Sequence, residues 1–163
     1  MNNVSFTGKT ALISGGASGI GLATAQRLIA QGATVWIADI QDTLGQQIAE
    51  EIGANYLHLD VAKEEEWTSA VELIAGQGQG LHLLMNNAGI AIGGTLETQT
   101  TAEFLQTINI NLLGVFLGCK VCAPLLALSG GGSIVNVSSI WGMVSDPGAV
   151  AYSASKGGVR TMT

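Results

Sequence analysis

Tyr152 and Lys156 are the two residues of this chain whose side chains and spacing best suit acid–base chemistry. They stand four positions apart in the stretch YSASK, and on a helix that spacing places both on one face within reach of each other. An ammonium group favours the phenolate form of a neighbouring tyrosine, which lets the phenol exchange a proton near neutral pH. The spacing therefore predicts a catalytic pair on a helix that begins near Tyr152.

A glycine-rich loop, SGGASGIG from Ser14 to Gly21, follows a strand-like run and opens a helix. In such a loop Gly15 permits a tight turn, Gly19 lets the backbone approach a pyrophosphate, and Gly21 lets the helix pack closely on the strand. The helix N-terminus supplies an anion site. The spacing G-x-x-x-G-x-G differs from the common G-x-G-x-x-G fingerprint, so the prediction depends on the loop's place between first strand and first helix.

Asp39 stands at the end of the second strand-like run. An acid at this position suits the ribose hydroxyls of an adenosine, and it repels a 2′-phosphate by about 3 kcal/mol per unit charge at ~5 Å and an effective dielectric of ~20. No lysine or arginine directly follows Asp39. The pattern favours NAD over NADP, although Asp39 can also cap the next helix.

Polar residues also follow the third and fourth strand-like runs, as Asp60-Val61 and as Asn86 at the head of the stretch NNAG. Ligands of open α/β sheets bind along this carboxyl edge. Asn86 can equally stabilise the sheet through hydrogen bonds to neighbouring backbone, and Asp60 can cap the next helix. For these two residues the structural and the binding interpretations stay open.

The elements that must position these residues alternate between apolar β-prone runs and helix-like segments. The predicted strands are Thr10–Ser14, Thr34–Ala38, Tyr56–Leu59, Leu81–Asn86 and Ser133–Ser138. The predicted helices are Ile20–Gln31, Thr43–Ile52, Lys63–Ala75 and Thr101–Leu128, followed by the one near Tyr152. Each strand run is apolar on both faces, as in strands buried between two helical layers. The alternation predicts one doubly wound α/β domain with a parallel sheet, spanning residues 1–163.

The predicted helix Thr101–Leu128 is apolar around most of its circumference. Covering a sheet needs only one apolar stripe, so the second face needs another partner. That partner is either a further segment of the same chain or a second copy. The low content of charged residues, 11%, favours the second copy and hence a homo-oligomer, a dimer or a tetramer.

Composition limits the remaining function classes. The net charge of −6, without any basic cluster, argues against nucleic-acid binding. No uninterrupted run of about 18 apolar residues occurs, so no membrane span is expected, and the N-terminal residues MNNVSFTGKT lack the pattern of a signal peptide. These features predict a cytoplasmic protein that binds neither nucleic acid nor a membrane.

Cys119 and Cys122 form a CxxC pair inside an apolar helical run. A structural zinc needs four converging ligands, and the two histidines, His58 and His82, lie in distant strand-like segments. We therefore expect two small buried helix residues and no metal site, in a reducing compartment.

In their order along the chain, these motifs closely resemble those of the short-chain dehydrogenase/reductase family. The set comprises SGGASGIG, Asp39, Asp60-Val61, NNAG, INLLGVF with Asn111, IVNVSS with Ser139, and YSASK. The resemblance covers the whole chain and implies a Rossmann sheet of strand order 3-2-1-4-5. It also implies hydride transfer between NAD(H) and a secondary alcohol or ketone. The alternatives are an NAD-binding fragment without catalysis and an interaction module.

The resemblance implies four catalytic roles. Tyr152 exchanges a proton with the substrate oxygen, while Lys156 activates Tyr152 and holds the nicotinamide ribose. Ser139, rather than Ser138, donates a hydrogen bond to the substrate oxygen. Asn111 binds a water that continues a proton relay from Lys156. The positions that match cofactor contacts are Gly15, Ser18, Gly19, Ile20, Gly21, Asp39, Asp60, Val61, Asn87, Ala88, Gly89, Tyr152 and Lys156.

The segment between Ser139 and Tyr152 is expected to form one wall of the substrate site. Trp141, Met143 and Val144 make it apolar, and it contains no lysine or arginine. A neutral secondary alcohol, cyclic or hydroxysteroid-like, fits this wall best, although the same side chains can also fill the core.

The family's fold has at least one strand beyond the five predicted here. The resemblance therefore implies a longer enzyme whose C-terminal strands are missing from this chain. On that expectation the fifth run, SIVNVS, lies at an open sheet edge.

Overall fold

The computed structural model describes residues 5–78 and 80–163, so the first four residues, part of the segment without a signal-peptide pattern, lie outside it. Five parallel strands form one sheet in the order β3-β2-β1-β4-β5, which confirms the predicted topology. The strands are β1 (Thr10–Ser14), β2 (Thr34–Asp39), β3 (Asn55–His58), β4 (Leu83–Asn86) and β5 (Ser133–Asn136). Strand order reverses between β1 and β4, and a crevice forms there at the carboxyl ends of the strands.

In the part of the chain that the structure describes, six α-helices surround the sheet. They are α1 (Gly19–Ile29), α2 (Asp42–Ile52), α3 (Glu64–Gly76), α4 (Thr101–Ile108), α5 (Gly114–Leu128) and α6 (Val150–Met162). On one face of the sheet, Trp67 of α3 and Leu117 of α5 pack on Leu12 of β1. On the other face, Leu28 of α1 packs with Ile13. Both faces are therefore covered, as a parallel sheet requires.

Burial on both faces was predicted for all five strands, and for two of them the prediction is wrong. Every residue of β1 is buried, whereas β3 has two exposed residues and β5 has three. Both strands lie at sheet edges, where side chains have neighbours on one flank only. An apolar run such as that of β5 can reflect strand propensity as well as burial, so by itself it does not show that both faces are buried.

The predicted long helix is interrupted in a way that the sequence did not indicate. Between α4 and α5 the chain forms a π turn, Asn109–Leu113, in which backbone hydrogen bonds reach five residues back. An 18-residue window within the helical segment Thr101–Leu128 has a mean hydropathy of 1.9, so by length and composition this segment passes as a membrane span. The sequence prediction looked for an uninterrupted apolar run and did not find this segment, because polar residues such as Asn111 and Lys120 interrupt it. Its buried residues, among them Leu117 and Leu126, pack in the core beside the sheet, as in the core helix of a soluble protein.

Candidate active site

A groove of about 340 Å³ runs along the carboxyl ends of the strands. Ten of the predicted cofactor contacts line it: Gly15, Ser18, Gly19, Ile20, Asp39, Asp60, Val61, Asn87, Ala88 and Gly89. They come from the ends of all strands except β5, which parallel strands necessarily bring to one edge. The groove also includes Ile40, Gln41, Leu59, Ile90 and Ile110, which were not predicted.

The glycine loop has the geometry expected of an anion site. Gly15 and Gly19 adopt positive φ angles of 62° and 55°, a region that favours glycine. A Cβ on Gly21 would collide with the carbonyl oxygen of Gly15, so this residue is needed for close packing rather than for lining the groove. Ser18 caps α1 in extended conformation without a side-chain bond to the helix. The first-turn N–H groups of α1 therefore receive no side-chain cap from Ser18.

Ser14 and Asn87 tie the loop to the end of β4. The Ser14 hydroxyl accepts from the backbone N–H of Asn87 at 3.1 Å and of Ala88 at 3.2 Å. In return, Asn87 Nδ2 donates to the carbonyls of Ser14 and Gly15, each at 3.0 Å. These bonds fix the floor of the groove with short polar groups from β1 and β4.

Asp39 is 8% exposed at the end of β2 and borders the groove. Its Oδ2 accepts from the Ala17 N–H at 3.3 Å, and its Oδ1 accepts from the Gln41 N–H at 3.2 Å. The carboxylate thus receives backbone N–H bonds from the glycine loop and from the start of the next loop. It helps to hold the loop in place at the edge of the groove.

Asn86 and Asp60, for which two interpretations were open, differ in the structure. Asn86 is buried away from the groove, where its Nδ2 donates to Asn136 Oδ1 at 2.8 Å across β4 and β5, and so it has a structural role. Asp60 borders the groove and also accepts from the Ala62 N–H at 3.0 Å. It can therefore serve both the turn before α3 and a ligand.

Helix α6 brings Tyr152 and Lys156 together as their spacing predicts. Lys156 Nζ lies 5.8 Å from the centroid of the Tyr152 ring and donates to the Val137 carbonyl at 2.6 Å. Lys156 is 3% exposed, and this burial lowers the pKa of its ammonium below the usual range. A methyl group on Gly89 would lie 3.7 Å from Nζ, so the ammonium adjoins the groove. Trp141 meets the Tyr152 ring edge-to-face at 5.8 Å.

The two serines after β5 have different partners. Ser138 Oγ donates to the Lys156 carbonyl at 2.9 Å and so fastens this segment to α6. Ser139 Oγ accepts from the Trp141 N–H at 3.2 Å, at the start of a short 3₁₀ turn. Within the described residues Ser139 donates to no acceptor, so its hydroxyl hydrogen is available for a substrate oxygen.

Asn111 lies fully buried in the π turn. Its Oδ1 accepts from the Ile90 N–H and its Nδ2 donates to the Ile90 carbonyl, both at 2.8 Å. A second bond from Nδ2 reaches Ser155 Oγ at 3.2 Å. Both N–H groups of the amide thus donate to acceptors within the protein. The side chain of Asn111 fixes the backbone of Ile90.

Cys122 packs in the core of α5, and burial raises the pKa of its thiol to about 12. Cys119 is half-buried, with its Sγ 3.6 Å from Asn136 Oδ1. Both are free, and no cluster of three or more potential ligands occurs among residues 5–78 and 80–163. Cys122 is therefore buried as expected, whereas Cys119, which was also expected to be buried, is only half-buried.

The groove residues that were not predicted carry little signal in a sequence. Ile40 and Gln41 directly follow Asp39, Leu59 precedes Asp60, and Ile90 follows Gly89, so adjacency to a strand-end motif was the available clue. Ile110 lies in the π turn, whose presence no motif indicated.

Comparison with known proteins places these features in context. A family model described as short chain dehydrogenase matches residues 9–163. The 3-alpha-(or 20-beta)-hydroxysteroid dehydrogenase of Mycobacterium tuberculosis is 41% identical, over 96% of this chain and 61% of that protein. The cyclopentanol dehydrogenase of Comamonas testosteroni is 42% identical, over 95% of this chain and 64% of that protein.

Among solved structures, the crystal structure of gox2181 superimposes with a TM-score of 0.94 at 28% identity, covering 98% of this chain and 65% of that one. The chain thus spans a little under two thirds of the length of these proteins.

Proposed function

The chain belongs to the short-chain dehydrogenase family, and from that membership we propose that it transfers a hydride between NAD(H) and a secondary alcohol or ketone. The observation that carries the proposal is the position of Lys156. Its buried ammonium adjoins Gly89 at the groove and lies 5.8 Å from the Tyr152 ring. One cation can therefore serve both a nucleotide ribose and the phenol.

In this proposal the chain's own residues bind the substrate oxygen and move its proton, while bound NAD supplies the hydride acceptor. Tyr152 takes the hydroxyl proton of the alcohol, with the Lys156 ammonium 5.8 Å from its ring. Ser139 donates its free hydrogen to the same oxygen and holds it beside Tyr152. Asn111 anchors the π turn, where a water would continue the proton path from Lys156.

The groove fits a dinucleotide. A Cβ on Gly15 would meet Ala88 and one on Gly21 would meet the Gly15 carbonyl, so both glycines let the loop pack closely, and the N-terminus of α1 suits a pyrophosphate. None of the described residues that line the groove is a lysine or arginine. A 2′-phosphate near Asp39 would therefore meet repulsion of about 3 kcal/mol, or about a hundredfold in affinity. NAD is the proposed cofactor on this ground.

Two measurements test binding and turnover separately. Quenching of tryptophan fluorescence should give NADH a dissociation constant about a hundredfold lower than that of NADPH, and Asp39→Asn should narrow the difference. NAD reduction should follow addition of cyclopentanol. Binding without turnover of any secondary alcohol would favour a nucleotide-binding module. Absence of NADH binding would leave an interaction protein.

The proposed substrate is a neutral alcohol carried on a ring. Trp141, Met143 and Val144, together with Leu96, border an open groove of about 430 Å³. No lysine or arginine is among its described lining residues, so it offers no cation to a carboxylate or phosphate. The names of the relatives, a hydroxysteroid and a cyclopentanol dehydrogenase, support this class of substrate.

We also propose a cytoplasmic homo-oligomer, a dimer or tetramer, that forms through the long helix. Leu105, Leu113 and Phe116 share its outer face and are 51%, 37% and 46% exposed. A second copy of the same face would bury this stripe. Sedimentation velocity should show an oligomer that Phe116→Asp dissociates, while Leu128→Asp at the helix end does not. A monomeric wild type would contradict the proposal.

A further inference from the structure

Ser155 lies within the motif YSASK, fully buried, and its hydroxyl makes two hydrogen bonds. It donates to the Tyr152 carbonyl at 2.7 Å, which is a bond within α6. It also accepts from Asn111 Nδ2 at 3.2 Å, which joins α6 to the π turn. The residue beside Lys156 is therefore a direct polar link between the helix of the proposed acid–base pair and the helix that covers the sheet.

The link continues from Asn111 to the nucleotide groove. Asn111 bonds both the N–H and the carbonyl of Ile90 at 2.8 Å, as a neighbouring strand would, and Ile90 lines the groove. An amide has two N–H bonds to donate, and here they go to Ile90 and Ser155. Without the Ser155 hydroxyl one of these N–H bonds is left buried without its acceptor, and that loss favours a rearrangement of the amide that would disturb its bonds to Ile90.

We propose that Ser155 is a positioning residue of the dehydrogenase. Its hydroxyl holds α6 in register with Asn111 and Ile90, so that Tyr152 and Lys156 meet the end of the nucleotide groove. The inference rests on the proposed function. A hydroxyl that served only to cap a carbonyl of its own helix would not also accept a hydrogen bond from Asn111.

Three variants test the role of Ser155. Ser155→Ala removes the hydroxyl, and Ser155→Thr keeps one that can bond the carbonyl three residues back. Thr161→Ala is the matched control, because Thr161 donates to the Gly157 carbonyl at 3.1 Å on the same helix but is exposed. The readouts are kcat with cyclopentanol, the NADH dissociation constant, the melting temperature, and hydrogen exchange at the Ile90 amide.

Ser155→Ala should lower kcat by about ten- to a hundredfold while NADH affinity changes by less than about threefold. Exchange at Ile90 should become at least about tenfold faster, because its N–H is held by Asn111. Ser155→Thr should keep kcat and the Ile90 exchange rate close to their wild-type values. Thr161→Ala should match the wild type in every readout.

Unchanged kcat and unchanged Ile90 exchange in Ser155→Ala would overturn the inference. So would a parallel loss of kcat, NADH affinity and melting temperature in both Ser155 variants, since that is the behaviour of a purely structural hydroxyl. If the wild type oxidises no alcohol, the proposed function fails. The exchange at Ile90 then decides alone: faster exchange supports the link and unchanged exchange refutes it.

Discussion

The nucleotide end and the substrate end of the proposed site are formed by different kinds of side chain. At the nucleotide end the groups are short, polar and fixed by backbone, as in Ser14, Asn87 and Asp39, the last only 8% exposed. At the substrate end they are long and apolar, and Met143 and Val144 are 62% and 59% exposed. Backbone-fixed polar groups specify one ligand closely. Exposed apolar side chains select only for the general shape and polarity of a ligand. The chain therefore defines its proposed cofactor more narrowly than its proposed substrate.

The largest expected effect is on kcat, from a substitution of Tyr152, which lies between the nucleotide end and the substrate end. Tyr152→Phe removes the exchangeable proton and keeps the ring that meets Trp141, so it should lower kcat about a thousandfold. NADH affinity should stay within about threefold, since the nucleotide groove does not include this residue. Steady-state kinetics and fluorescence quenching measure the two quantities. Substantial activity in this variant would remove Tyr152 from the chemistry.

The next largest effect should be confined to the nucleotide end. In Gly21→Ala the new Cβ meets the Gly15 carbonyl and lies 2.7 Å from Asn87 Nδ2, so the loop must shift. NADH affinity should fall about a hundredfold, the equivalent of two charge-assisted hydrogen bonds. Gly76→Ala is the control, because a Cβ there meets nothing within 4 Å. Equal NADH affinity in both variants would show that the loop does not bind the cofactor.

A smaller effect should be confined to the substrate end. Met143→Ala removes apolar surface from the open groove and should raise KM for cyclopentanol about tenfold, with NADH affinity unchanged. Leu128→Ala, at a residue 85% exposed on the end of α5, should change neither. If KM is insensitive to Met143, this groove is not the substrate wall.

The smallest effect concerns the pH dependence of stability. Burial lowers the pKa of Lys156 in the folded protein relative to the unfolded chain, so between the two values the unfolded chain binds the additional proton. The contribution of Lys156 to stability therefore rises with pH through that window and is smallest below the folded pKa. Denaturant unfolding at increasing pH should show this rise in wild type relative to Lys156→Met. An identical pH dependence in both would mean that Lys156 is not desolvated.

Much of the fold and groove could be predicted because both depend on strand ends. Parallel strands must bring Gly15, Asp39, Asp60 and Asn87 to one edge, and all four lie there. The exposure of β3 and β5 could not be read from apolar runs, since it depends on which strands occupy the sheet edges. The π turn also has no distinctive periodicity, so the bonds from Asn111 to Ile90 and Ser155 emerge only in three dimensions.

Transfer of isotope between the two ends tests the central claim most directly. The protein is incubated with NAD and with cyclopentanol that carries deuterium on its carbinol carbon, and the reduced nucleotide is examined by mass spectrometry. A hydride-transferring dehydrogenase places that deuterium on the nicotinamide ring, and Tyr152→Phe abolishes the transfer. Reduced nucleotide without deuterium, or none at all from a protein that binds NADH, would contradict the account.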